Sequence, residues 1–143
     1  MNELRGTCHC KMIRVLFRTS KSVKELAIRE CECTFCTRQG AQYTSDPNGQ
    51  LEIYLTNEAA LNPYRFGLGT ADFLSCIHCG VFVAATWQDS EQRYSVLNVR
   101  SLDDFEQLNE PSGSKDFDAE TKEERHARRS RNWTPTRIVY EPT

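Results

Sequence analysis

Seven cysteines in three tight groups constrain this chain more than any other feature of its sequence. Cys8 and Cys10 sit in CHC, Cys31, Cys33 and Cys36 in CECTFC, and Cys76 and Cys79 in CIHC. A disulfide framework suits an even count in an exported chain. Here the count is odd, and the opening MNELRGTCHC carries charges without the apolar segment of a signal peptide, so a cytoplasmic chain with reduced thiols is expected. Cysteines kept only for packing would scatter along the chain rather than cluster. Metal binding is therefore the reading that the spacing favours.

Residues two apart on an extended chain point to the same face. Cys8 and Cys10 can thus share one ion, and so can Cys31 and Cys33. Cysteines three apart suit a tight turn with converging sulfurs, as in Cys76 and Cys79, where Gly80 follows and tolerates a positive φ. Cys33 and Cys36 share that spacing. Structural zinc takes four protein ligands, and seven thiols divide as four plus three. Cys8, Cys10, Cys76 and Cys79 would close a tetrahedral site that ties the N-terminal strand to a distant turn. Cys31, Cys33 and Cys36 would then stand one ligand short, which is the pattern of catalytic zinc with an exchangeable position. Two alternatives stay open. His9 or His78 could supply a ligand, although an extended chain aims each away from its flanking cysteines. Cys8 and Cys10 could also pair with the middle group. His126 lies in a charged tail and reads as solvated.

The 143 residues suit one domain, and a net charge of −2 gives no general attraction for nucleic acid or anionic membrane. The longest nearly apolar stretch, 81–87, is far short of the about 20 residues of a spanning helix. Alternation over 12–18 predicts a strand, as do KELAIR at 24–29 and LEIYL at 51–55 after the turn TSDPNGQ. YRFG, ADFLSC, VFVAATW and YSVLNV are further β-prone runs, and NEAALNP at 57–63 predicts one helical turn. Strands joined by short turns indicate an antiparallel β protein. Residues 1–108 read as a zinc-binding β domain. Residues 109–143 read as a polar linker and partly helical tail packed on the same domain, with Arg125, Arg128, Arg129 and Arg131 on a solvated face.

GTCHC, CECTFCTR and CIHCG, in that order and spacing, resemble the motifs of the glutathione-dependent formaldehyde-activating enzyme family, which includes centromere protein V. The resemblance runs from Gly6 to about Leu102, with a weaker echo at Phe117 and Trp133. It implies an Mss4-like antiparallel β sandwich built around zinc, two zincs per chain. By motif, Cys8, Cys10, Cys76 and Cys79 would hold the structural ion, and Cys31, Cys33 and Cys36 the catalytic one. Two departures stand out: Lys11 replaces the usual glycine after CHC, and Thr37 replaces a common arginine, leaving Arg38. The implied activity is that of a carbon–sulfur lyase on a thiol–aldehyde adduct, such as S-hydroxymethylglutathione from formaldehyde and glutathione. Three thiolates overcompensate a divalent ion, which favours delivery of a substrate thiolate over Lewis-acid activation of the aldehyde. Arg38 is the candidate to hold a substrate carboxylate. The alternative is a non-catalytic zinc module that binds a protein partner. The partners expected are small thiols and aldehydes, with a homodimer allowed, and neither membrane nor nucleic acid.

Overall fold

A computed structural model describes residues 1–117 and 119–142. Eleven strands and two helices follow one another along them: β1 (Asn2–Thr7), β2 (Ile13–Thr19), β3 (Glu30–Cys31), α1 (Thr34–Gln39), β4 (Tyr43–Thr44), β5 (Gln50–Leu55), β6 (Leu61–Tyr64), β7 (Asp72–Cys76), β8 (Phe82–Gln88), β9 (Arg93–Asn98), β10 (Ser114–Lys115), α2 (Lys122–Asn132) and β11 (Thr134–Tyr140). The mainly β expectation is borne out. The main sheet runs β1-β2-β5-β11-β9-β8-β7-β6. It is mixed, because β11 lies parallel to β5 and antiparallel to β9. β4 pairs with the Leu97–Asn98 end of β9, beyond the Arg93–Ser95 stretch that β11 takes. No helix among the described residues is long and apolar enough to cross a membrane.

Alternation in β2 and β5 sends Ile13, Phe17, Leu51 and Ile53 inward, all fully buried. Cys8 and Cys76 belong to this same core. A second buried cluster gathers Cys36, Tyr43, Phe82, Trp87, Val96 and Trp133, with Cys31 and Cys33 packed against it. Each thiol group thus leans on its own patch of core.

Some local expectations fail for physical reasons. Residues 24–29 form turns and loop rather than a strand, and only Arg29 makes an isolated bridge, to Tyr43. The expected helical turn at 57–63 is a short turn at Asn57–Ala60, where the Asn57 side chain accepts the Ala59 N–H at 2.8 Å. Strand β6 follows at once and includes Pro63, which its place at the end of the sheet tolerates.

Gly6 bridges Leu102, and a Cβ there would lie 2.0 Å from the Ser101 carbonyl oxygen, so no side chain fits. Glu52, buried in β5 between β2 and β11, accepts from Arg18 at 2.6 Å and from Arg137. The Arg137 hydrogen bond foremost, then a hydrogen bond with Tyr54 and the nearby Arg18 charge, hold its carboxyl below the usual range against the opposing effect of burial. A lowered folded-state pKa gives stability that is complete above the unfolded value and lost as pH falls through the folded one. Glu52→Gln is expected to cost about 1–3 kcal/mol at neutral pH by leaving guanidinium donors without their charged partner. Thermal unfolding of variant and parent across pH checks this: the gap between them should close as pH falls into the acid range.

Candidate functional site

The four-thiol group is assembled by two turns. Cys8 and Cys10 occupy the connection from β1 to β2, while Cys76 ends β7 and Cys79 lies in the turn from β7 to β8. Backbone N–H groups aim at the sulfurs: Ile13 donates to Cys8 Sγ at 3.3 Å, and His78 and Cys79 each donate to Cys76 Sγ at 3.4 Å. Gly80, at φ 79°, closes the second turn with its N–H on the Cys76 carbonyl. All four sulfurs lie within 4.8 Å of one another. Cys8 to Cys10 is 3.7 Å and Cys10 to Cys76 is 3.6 Å. A tetrahedron with metal–sulfur bonds of about 2.3 Å has edges of about 3.8 Å, so this donor set fits a tetrahedral ion. The cysteines are free rather than paired as disulfides. Burial pushes the Cys8 thiol up to about 12.

Lys11 completes the first turn in the left-handed region, at φ 68°. Glycine takes that region at least cost, and here a lysine bears the cost. Lys11→Gly is expected to stabilise the protein by about 1 kcal/mol, because the left-handed conformation costs an L-residue about that much. A rise in Tm of about 3 °C would register it.

The second group rests on α1. Cys31 ends β3, Cys33 caps α1 with its sulfur accepting the Cys36 N–H at 3.3 Å, and Cys36 lies one turn in. Gly40, at φ 66°, ends the helix. The three sulfurs lie within 4.8 Å of one another, and no histidine, carboxylate or further thiol joins either group among the described residues. Both His9 and His78 are exposed. Tyr43 places its Oη 3.0 Å from Cys36 Sγ. Burial, foremost, raises the Tyr43 pKa, so the phenol keeps its proton and donates to that sulfur. The hydrogen bond from Cys36 takes Cys31 down to about 6, with the Cys33 N–H and the Arg128 charge also lowering it and burial opposing them. The same Cys31–Cys36 contact, with burial, pushes Cys36 up. Three converging sulfurs suit a metal that keeps a position open.

These three cysteines form one wall of a cavity of about 410 Å3. Phe73, Ala85 and Val96 of the sheet form its apolar floor, and the 66–71 loop one side. Helix α2 contributes Arg125, Arg128 and Arg129, and Arg29 lies on the cavity as well. The helix is fixed by a capping box between Thr121 and Glu124 and by stacking of His126 on Trp87 at 4.9 Å. Arg129 is only 5% exposed and stands over Trp133 at 4.8 Å, unlike the solvated face expected from sequence. The helical spacing of residues 125, 128 and 129 puts them on one face, and that signal was present in the sequence. Arg38 is exposed and borders a separate shallow groove with Phe35, Gln39 and Tyr64, not the cavity of the three thiols.

Fold and thiols together define the class: a mainly β protein with two cysteine clusters able to hold metal ions. Within that class, the chain belongs to the glutathione-dependent formaldehyde-activating enzyme family, whose profile matches residues 3–117. It is also similar to the crystal structure of a Rhodobacter sphaeroides protein, with a TM-score of 0.59 and 25% identity, over 78% of this chain and 99% of that one. No curated protein matches it.

Proposed function

We propose that the protein is a carbon–sulfur lyase that joins glutathione and formaldehyde into S-hydroxymethylglutathione, or reverses that step, in the cavity between α1 and α2. The observation that carries this reading is a cavity of about 410 Å3 with three convergent thiols and no fourth ligand among the described residues on one wall. In the forward direction the substrate sulfur bonds to the carbonyl carbon, and the thiol proton ends on the former carbonyl oxygen.

A zinc ion, held by Cys31, Cys33 and Cys36, would supply acidification of the incoming thiol, since coordination deprotonates it. The chain's own residues do the rest. Tyr43 donates to Cys36 Sγ and moderates the negative charge gathered there. Phe73, Ala85, Val96 and Trp133 keep bulk water from the reacting carbon. The arginines of α2 set a positive field in which a thiolate is favoured over a thiol. A second zinc, on Cys8, Cys10, Cys76 and Cys79, would hold the fold and take no part in the reaction.

Exchange NMR with isotope-labelled formaldehyde and glutathione tests the reading. Zinc-loaded protein should speed interconversion of free and adduct signals above the spontaneous rate. No acceleration at any protein concentration rejects this substrate pair and favours a zinc module that binds a protein partner.

A further inference from the structure

The family match ends at Phe117, before α2 begins at Lys122. The arginine face of the cavity is therefore built largely by a part of the chain that the family's profile does not cover. Its charges are unevenly balanced. Glu120 accepts both Nε and Nη2 of Arg128 at 2.9 Å, and lies 3.9 Å from Arg125. That one carboxylate is thereby committed. Glu30 borders the cavity but is exposed and makes no ion pair among the described residues.

Arg29 and Arg129 also have no carboxylate within ion-pair distance among the described residues. Arg29 donates to the neutral Ser45 hydroxyl at 2.6 Å. Arg129 gives one terminal nitrogen to Thr70, 2.9 Å from Oγ1 and 3.3 Å from the carbonyl, while its buried Nε has no partner among the described residues. Both guanidiniums line the cavity of the three thiols. A guanidinium that lines a cavity without a carboxylate paired to it can take one from a ligand.

We propose that Arg29 and Arg129 form an oxyanion subsite that selects a carboxylate-bearing substrate for this cavity. The subsite rests on the reading that the cavity receives a thiol, and it names which thiols: acids, not their neutral amides or esters. Planar, bidentate donors match a carboxylate in shape as well as charge. Arg38, on its separate groove, is then not the residue that grips the substrate's acid group.

Calorimetric titration of the zinc-loaded full chain with mercaptopropionate, mercaptopropionamide and succinate tests this. The acid should bind at least about tenfold more tightly than the amide, the gain of charge-assisted hydrogen bonds. Arg129→Gln should bring that ratio close to one, and Arg129→Lys should restore part of it. Arg29→Gln repeats the test should Arg129→Gln fail to fold. A ratio near one in the parent overturns the subsite, as does a ratio unchanged in both glutamine variants, or failure of all three probes to bind. Succinate has no thiol. If it binds in an Arg129-dependent way while the thiol adds nothing, the subsite stands and the thiol reading falls. If formaldehyde exchange is catalysed while the acid-to-amide ratio is one, the thiol reading stands and the subsite falls.

Discussion

Cys33→Ser is expected to abolish thiol–aldehyde exchange while leaving a folded protein. Cys33 is half-buried, and its structural task is to cap α1 by accepting the Cys36 N–H at 3.3 Å. Serine is a favoured N-cap and takes over that bond, so the stability change should stay within about 1 kcal/mol. The metal task is different. Two thiols in place of three remove a direct ligand, and even the partners behind a ligand are worth about 10–100-fold when lost. Exchange should fall by about 100-fold or more, and native mass spectrometry should find the zinc content reduced from two to one. A variant that loses its cooperative thermal transition would show that the three-thiol group holds the fold rather than a reaction. Retention of full exchange activity would remove it from the chemistry.

Cys76→Ser should do the opposite and unfold the chain. Cys76 lies in the main core, 2% exposed, and its sulfur stands 3.6 Å from that of Cys10, 66 residues earlier. A four-sulfur ion at this point would join the β1–β2 turn to the β7–β8 turn, two elements that sit far apart in the sheet order. Structural zinc contributes apparent free energies of about 10–16 kcal/mol in small domains. A domain's whole net stability is about 5–15 kcal/mol. Weakening the ion by one ligand therefore threatens the entire fold, not a local turn. Circular dichroism and zinc analysis check this: the variant should show no cooperative melting and no zinc retained at the four-thiol group. A Cys76→Ser protein that melts cooperatively within a few degrees of the parent would mean that the core stands without the ion.

What the sequence revealed and what it hid follow from the range of the interactions involved. Cys8 with Cys10, and Cys76 with Cys79, announce themselves because a metal site built from two tight turns is written as two short spacings. β2 and β5 are legible because one face of each meets the core and the other does not. β11 was not legible. It lies inside the sheet, between β5 and β9, yet Pro135 argues against an interior strand and the preceding run is among the most charged in the chain. Its partners are more than 35 residues away along the chain, and only their pairing makes it a strand. The run at 24–29 erred the other way: Leu26 and Ile28 alternate and are buried, but their backbone packs against the core as a loop. For the cavity, the three thiols were visible as a motif. Its arginines shared one helix face by their spacing, but charge usually marks solvent, and Arg129 is buried only because Trp133, Thr70 and the sheet close round it.

Cobalt substitution gives the most direct view of the asymmetry between the two thiol groups. With cobalt in place of zinc, each ion reports its own ligands through its visible spectrum. Titration with glutathione should change the bands of one ion, as a fourth sulfur joins Cys31, Cys33 and Cys36, and leave those of the ion on Cys8, Cys10, Cys76 and Cys79 as they were. A spectrum indifferent to added thiol, or one in which both ions respond alike, would contradict an open position beside a closed one.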